Sequence, residues 1–178
     1  MPERIRFPLF TDRLEIRPMR LEDAQELLAV YGDADAMQYL TPDVPTSVAE
    51  AERWVRSKID LYESDDQLSL WTVIERAGGR IVGDVGLQHE DYGWGPEVGI
   101  GGRGNRSFWH KGLAVEAAKA CLGAGFGALN LQRIGAETAP DNVPAQRALT
   151  RLGMRRTASN ADGWSVYFIS RDEWFDQA

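Results

Sequence analysis

The chain has 178 residues, 43% of them hydrophobic and 10% aromatic, which is enough apolar surface for one compact domain with a sizeable core. Twenty basic against 27 acidic residues leave a net charge of -7, which argues against nucleic acid as a partner and is compatible with cationic substrates. The lone Cys121 cannot form an internal disulfide, the opening MPERIRFPLF lacks an apolar secretory core, and no apolar run nears the roughly 20 residues that span a bilayer, so the expected location is the cytoplasm, away from membranes.

In chain order, DRLEIRP alternates at Leu14 and Ile16 and predicts a half-buried strand ended by Pro18. In LEDAQELLAVYGD the apolar residues Ala24, Leu27, Leu28 and Tyr31 recur at helical spacing, and Gly32 suits a C-terminal cap. After the loop LTPDVP, Ser47 and Glu50 have capping-box spacing, and Trp54, Val55, Ile59 and Tyr62 line a second amphipathic helix. LSLWTVIER and RIVGDVGLQ, joined around Ala77, Gly78 and Gly79, predict a hairpin, and EVGIG a third strand. The small and apolar segment from Leu113 to Leu129 predicts a helix packed closely on the sheet. LQRIGAETA then predicts a strand, NVPAQRALTRLGM a helix stopped by Gly153, and WSVYFIS a last strand. With no repeat and no linker, the whole chain, 1–178, is expected to form a single mixed α and β domain around one sheet.

Residues 98 to 120, VGIGGRGNRSFWHKGLAVEAAKA, raise the question of a phosphate site. Gly99, Gly101 and Gly104 fit the G-x-G-x-x-G template, but a dinucleotide turn needs strand, glycines and helix in immediate succession and an acidic residue about 20 positions on. Here the helix begins near Gly112 and CLGAGFG carries no carboxylate, so the match is chance. Nor is there a Walker loop, since no Ser or Thr follows Lys111 and Gly112. The stronger candidate is FWHKGLAVEA, a short loop entering a helix whose unpaired N–H groups favour a pyrophosphate. Gly112 would let the backbone approach closely and Ala114 would keep the first turn clear; alternatively, Gly112 merely starts a packed helix.

FWHKGLAVEAA followed by LQRIGAETAPDNVPAQRALTRLGM resembles the coenzyme A signature of the GNAT acyltransferases. The opening TDRLEIRPMRLEDAQELL, the segment EVGIG and the ending WSVYFISRDEW are similar to the branch containing ribosomal-protein N-terminal acetyltransferases. The resemblance runs from about Thr11 to Trp174 and implies an α/β (α+β) fold: a mixed, mostly antiparallel twisted sheet with two splayed parallel central strands and flanking helices. It implies acetyl-CoA as cofactor, with the pyrophosphate on amides around Trp109, His110, Lys111, Gly112, Leu113 and Ala114, although Trp109 departs from the family's Gln or Arg at that position. By the same resemblance the pantetheine pairs with the strand edge at Ile100 and Gly101, Asn142 contacts the cofactor or caps its helix, and Arg147 is a weaker candidate for the ribose phosphate. The segment from Glu97 to Trp109 is about two residues longer than in that branch, which leaves its register open.

The family reaction is direct attack of a primary amine, at a peptide N-terminus or on a small molecule, on the thioester. An amine near the reference pKa of about 10.4 lies about 3 units from its free form at pH 7, a cost of roughly 4–5 kcal/mol that calls for a base. Glu97 is the first candidate and Asp84 the second, with Glu97 equally suited to act as a counter-ion or to orient a loop. His89 reads as a surface or hydrogen-bonding residue and Cys121 as core rather than nucleophile. Where the branch places a serine that could protonate the leaving thiolate, this chain has Ala145; water, or Tyr167 if it reaches the site, is the substitute. Acceptor selectivity is expected from the first two helices, the loop YLTPDVPTS and the segment QHEDYGWGP, whose Asp91, Tyr92 and Trp94 form an acidic aromatic wall or complete the core or a dimer contact. No metal is expected, monomer and homodimer stay open, and the alternative to an enzyme is a non-catalytic acyl-CoA-binding module.

Overall fold

The computed structural model describes residues 3–39, 45–64 and 66–177. Eight strands form one sheet in the order β1-β2-β3-β4-β5-β6-β8-β7. They are β1 (Leu9–Phe10), β2 (Leu14–Pro18), β3 (Ser69–Glu75), β4 (Ile81–Asp91), β5 (Pro96–Gly104), β6 (Arg133–Thr138), β7 (Arg155–Ser159) and β8 (Ser165–Ser170). All neighbours are antiparallel except β5 and β6, which run parallel and meet at the single register pair Gly99 and Gly135 before diverging. The expected fold, with its splayed parallel pair, is the one observed.

Helices cover both faces. Helices α1 (Ala24–Tyr31), α2 (Ala34–Met37) and α3 (Val48–Glu63) cover one face over a core of Leu27, Tyr31, Val55 and Leu70. On the other side lie α4 (Leu113–Gly127), α5 (Val143–Arg151) and α6 (Arg171–Asp176), over a larger core built on Trp71, Leu87, Leu122, Phe126, Ile134 and Ile169. The small residues of α4 have the expected use: a methyl on Gly125 would come within 2.8 Å of Leu87 and 2.9 Å of Ile134. Gly153, with φ +80°, ends α5 as anticipated, because that backbone conformation is costly for other residues.

Several details differ from the sequence expectations. Strand β4 continues to Asp91 and β5 to Gly104, lengthening the central hairpin at both ends. Ser47 caps α3 by accepting from the Glu50 amide at 3.3 Å, but the Glu50 carboxylate turns to the amide and hydroxyl of Thr46 instead of closing the box. The edge strands β1 and β7 and the short helices α2 and α6 were not anticipated; β7 is mostly exposed and has no alternating apolar face to announce it. No described helix is long and apolar enough to cross a membrane.

Candidate functional site

The loop before α4 takes an unusual path. His110 (φ +60°) and Gly112 (φ +76°) both adopt left-handed backbone, the kind of turn from which main-chain amides can build an anion-binding concavity. Among the described residues the N–H groups of His110, Lys111, Gly112, Leu113 and Ala114 have no protein acceptor, whereas the Glu116 N–H donates to the carbonyl of the N-cap Gly112 at 3.1 Å. Five unpaired donors at the positive end of a 15-residue helix favour an anion. Arg13 braces the loop: its guanidinium donates to the Lys111 carbonyl at 2.9 Å and pairs with Glu116 at 2.6 Å, while Glu116 also accepts from the Thr11 hydroxyl at 2.6 Å. These contacts hold the Glu116 carboxyl below its usual range; burial opposes them and is outweighed. Asn142 caps α5, its Oδ1 accepting from Ala145 N–H at 3.2 Å, which leaves its Nδ2 free for another partner. Arg147 is exposed on α5.

A cavity of about 160 Å³ opens where β5 and β6 part, lined by Gln88, Glu90, Tyr92, Arg103, Glu137 and Trp164 around the main chain of Ile100, Gly101 and Gly102. Register explains the lining: Glu90 is opposite Glu97, Gln88 opposite Gly99 and Asp84 opposite Arg103, so all these side chains share the sheet face that carries α1 and α3. The glycines keep it open. A methyl on Gly99 would collide with the Tyr92 hydroxyl at 2.4 Å and with Glu90 Cγ at 2.6 Å, whereas one on Gly101 would meet only the Gln88 amide, at 3.5 Å, and would fill cavity space.

Glu90 is half-buried, and its carboxyl is pushed above its usual value, first by burial and then by repulsion from Glu137, with Lys58 opposing. Glu137, across the splay, is exposed and accepts from Asn160 at 2.8 Å. Glu97, directly across from Glu90 at the start of β5, is instead gripped by Arg133 through Nε at 3.0 Å and a second, closer contact. Asp84 is buried and already accepts from the Tyr31 hydroxyl at 2.7 Å and the Arg103 amide at 3.1 Å. Sequence reasoning missed Glu90 and Glu137, which lie 47 positions apart and meet only through sheet register. The legible signal was alternation: continuing period two along β4 from Val85 and Leu87 places Gln88 and Glu90 together on the opposite face.

The proposed acceptor wall is divided. Tyr92 is buried against Phe168, with ring centroids 5.6 Å apart, so it completes the core beneath Gly99 and Gly135; Trp94 is exposed and Asp91 caps its own turn. Of the loop YLTPDVPTS, residues 40–44 lie outside the described residues, but Tyr39 reaches within 3.5 Å of the Asp141 carbonyl at the start of α5. Tyr167 packs in the α4 core on the face opposite Glu137. Cys121 is fully buried and its thiol pKa is raised by burial, in keeping with a core role.

Residues 13–155 match the acetyltransferase (GNAT) domain family. The chain belongs to the GNAT acetyltransferases. It is 31% identical over 148 residues to an uncharacterized N-acetyltransferase, p20, of Bacillus licheniformis, covering 83% of this chain and 82% of that one. Among solved structures, a GNAT-family acetyltransferase from Bacillus anthracis superposes with a TM-score of 0.74 at 26% identity, covering 92% and 98% of the two chains. A ribosomal-protein-S5-alanine acetyltransferase from Vibrio fischeri superposes with a TM-score of 0.78, covering 95% of this chain and 99% of its own, and at 15% identity shares the fold alone.

Proposed function

We propose that the protein is an acetyl-CoA-dependent N-acetyltransferase of primary amines, working in the cavity between β5 and β6 with Glu90 as the base. The observation that carries this reading is the pairing of five acceptor-less amides at the head of α4 with a carboxylate of raised pKa at the sheet opening. The residues fit the cofactor: the amides of His110 to Ala114 suit a pyrophosphate, Asn142 Nδ2 and Arg147 offer further donors, and the open edge at Ile100 and Gly101 can pair with an amide-bearing chain as an added strand would. When bound, acetyl-CoA supplies the acetyl group as an activated thioester.

The chain's own residues manage position and protons. Glu90 accepts a proton from the acceptor ammonium, and its raised pKa suits that task, because a base works best when its pKa approaches the operating pH. A main-chain N–H of β5 on the cavity side would stabilise the charge developing on the acyl oxygen. Glu137 sets the potential around Glu90, while Glu97 and Asp84 act through the arginines they hold, Arg133 and Arg103. Ala145 offers no proton, so water reaching the open cavity serves the leaving thiolate.

Thiol release from acetyl-CoA, followed over a panel of peptide N-termini and small amines, tests this reading. An amine-stimulated rate should fall about 10²- to 10⁴-fold in Glu90→Gln and much less in Glu97→Gln. A rate that survives Glu90→Gln but is lost in Glu97→Gln would return the base to Glu97. Acetyl-CoA binding without turnover on any acceptor would favour a non-catalytic binding module.

A further inference from the structure

The cavity also has a basic side, unexpected in a chain with a net charge of -7. Arg103 lines it from β5, with a side chain only 16% exposed. Its guanidinium is stacked 4.9 Å from the Trp54 ring centroid and 5.3 Å from that of Tyr31, and Nε lies 3.4 Å from Asp84. Asp84 thus faces the inner edge of the guanidinium, and among the described residues the two terminal nitrogens have no acceptor. From α3, half-buried Lys58 sits 5.2 Å from the Trp54 ring without an ion-pair partner among the described residues; its pKa is lowered, first by burial and then by the nearby charge of Arg103.

A guanidinium fixed by stacking and by a buried carboxylate is pre-organised to offer parallel donors, the arrangement that matches carboxylate or phosphate oxygens. Across the same small cavity stand Glu90 and Glu137. One wall therefore suits an ammonium and the other an anion, and the volume of about 160 Å³ suits a compact ligand. We propose that the acceptor is a small amine that also carries an anionic group, a carboxylate or a phosphate, seated on Arg103, with Lys58 adding positive charge behind it, while its nitrogen faces Glu90. The proposal rests on the reading of this cavity as the acetyl-transfer site. It is more specific than the primary-amine class as a whole, because it disfavours polyamines and amines without an acid group.

Equilibrium binding, measured by calorimetry with coenzyme A present, tests it without requiring turnover. The probes are matched pairs: each of the common amino acids against its carboxamide, and phosphoethanolamine against ethanolamine. The expected result is at least one anion-bearing amine binding about 10-fold or more tightly than its neutral partner. The pair that shows the preference tells carboxylate from phosphate. Arg103→Gln should bring that ratio close to one, Arg103→Lys should restore part of it, and Lys58→Met, which leaves Asp84 paired, should reduce it in a fully folded protein. Neutral partners binding equally well in every pair would overturn the proposal, as would a preference that survives Arg103→Gln, or no binding of any anion-bearing amine. If neutral amines are acetylated while anionic ones are not, the acetyltransferase reading stands and only this inference fails.

Discussion

Gly112 separates backbone strain from electrostatics in the loop that would hold the pyrophosphate. Its φ of +76° is costly for residues with a Cβ, but the space is open: an added methyl would find only an Arg13 nitrogen, at an ordinary 3.7 Å. Gly112→Ala should therefore cost only the left-handed backbone term, about 1–2 kcal/mol, or roughly 2–8 °C in Tm for a chain of this size. Gly112→Glu carries the same strain, but its carboxylate at the head of α4 regains roughly 0.3–1 kcal/mol from the helix dipole, so it should melt no lower than the alanine variant. Binding should rank the other way. A carboxylate brought to about 5 Å from a phosphate charge costs roughly 1–3 kcal/mol at effective dielectrics between about 80 and 20, equivalent to about 5- to 150-fold in Kd. Melting curves and acetyl-CoA titrations of the two variants give both rankings. Equal acetyl-CoA affinity in Gly112→Glu and Gly112→Ala, at similar stability, would refute the placement of a phosphate on these amides.

Three further outcomes follow from packing and charge. Gly135→Ala would push a methyl to 2.7 Å from the Tyr92 ring and 2.8 Å from Phe168; overpacking of this kind costs about 1–3 kcal/mol, which thermal unfolding would show as a drop of roughly 2–12 °C. Asp23 is buried and bonded by Arg17 at 2.8 Å and Thr72 at 2.6 Å; burial raises its pKa, but these bonds outweigh it and hold the pKa below 3.8. Because the folded-state pKa is depressed, this contribution is complete above pH 3.8 and is lost as pH falls through the folded value. Asp23→Ala should remove about 3–5 kcal/mol near neutrality, and urea melts should show the gap to the parent closing in acid. Cys121, fully buried, should resist alkylation by iodoacetamide in the native protein, and Cys121→Ala should keep its acetyl-transfer rate.

What was legible in the sequence was what periodicity and local caps encode. The order of the main strands and helices, the stop at Gly153 and the small-residue packing of α4 all follow from patterns confined to a few residues. The amide loop was legible because its donors are consecutive in the chain. The carboxylate pair was not, because Glu90 and Glu137 come together through the β4–β5 register and the single bridge between Gly99 and Gly135, neither of which leaves a local mark. The attraction of Glu97 was likewise local: its place in EVGIG says nothing of Arg133, which only the fold brings beside it. For Tyr92 the sequence left an acceptor wall and the core as alternatives, and the missing side chains at Gly99 and Gly135, which only the fold brings beside it, are what allow it to be buried.

The most direct test of the account is the pH dependence of kcat/KM for acetyl transfer, normalised for the acceptor's own ionisation, in the parent and in Glu137→Gln. If Glu90 is the base, activity should rise with pH through an ionisation above the usual glutamate value, and removing the Glu137 charge should move that rise to lower pH, because one of the two causes that lift it is gone. An acid limb that stays in place in Glu137→Gln, together with full activity in Glu90→Gln, would contradict the assignment of the chemistry to this carboxylate.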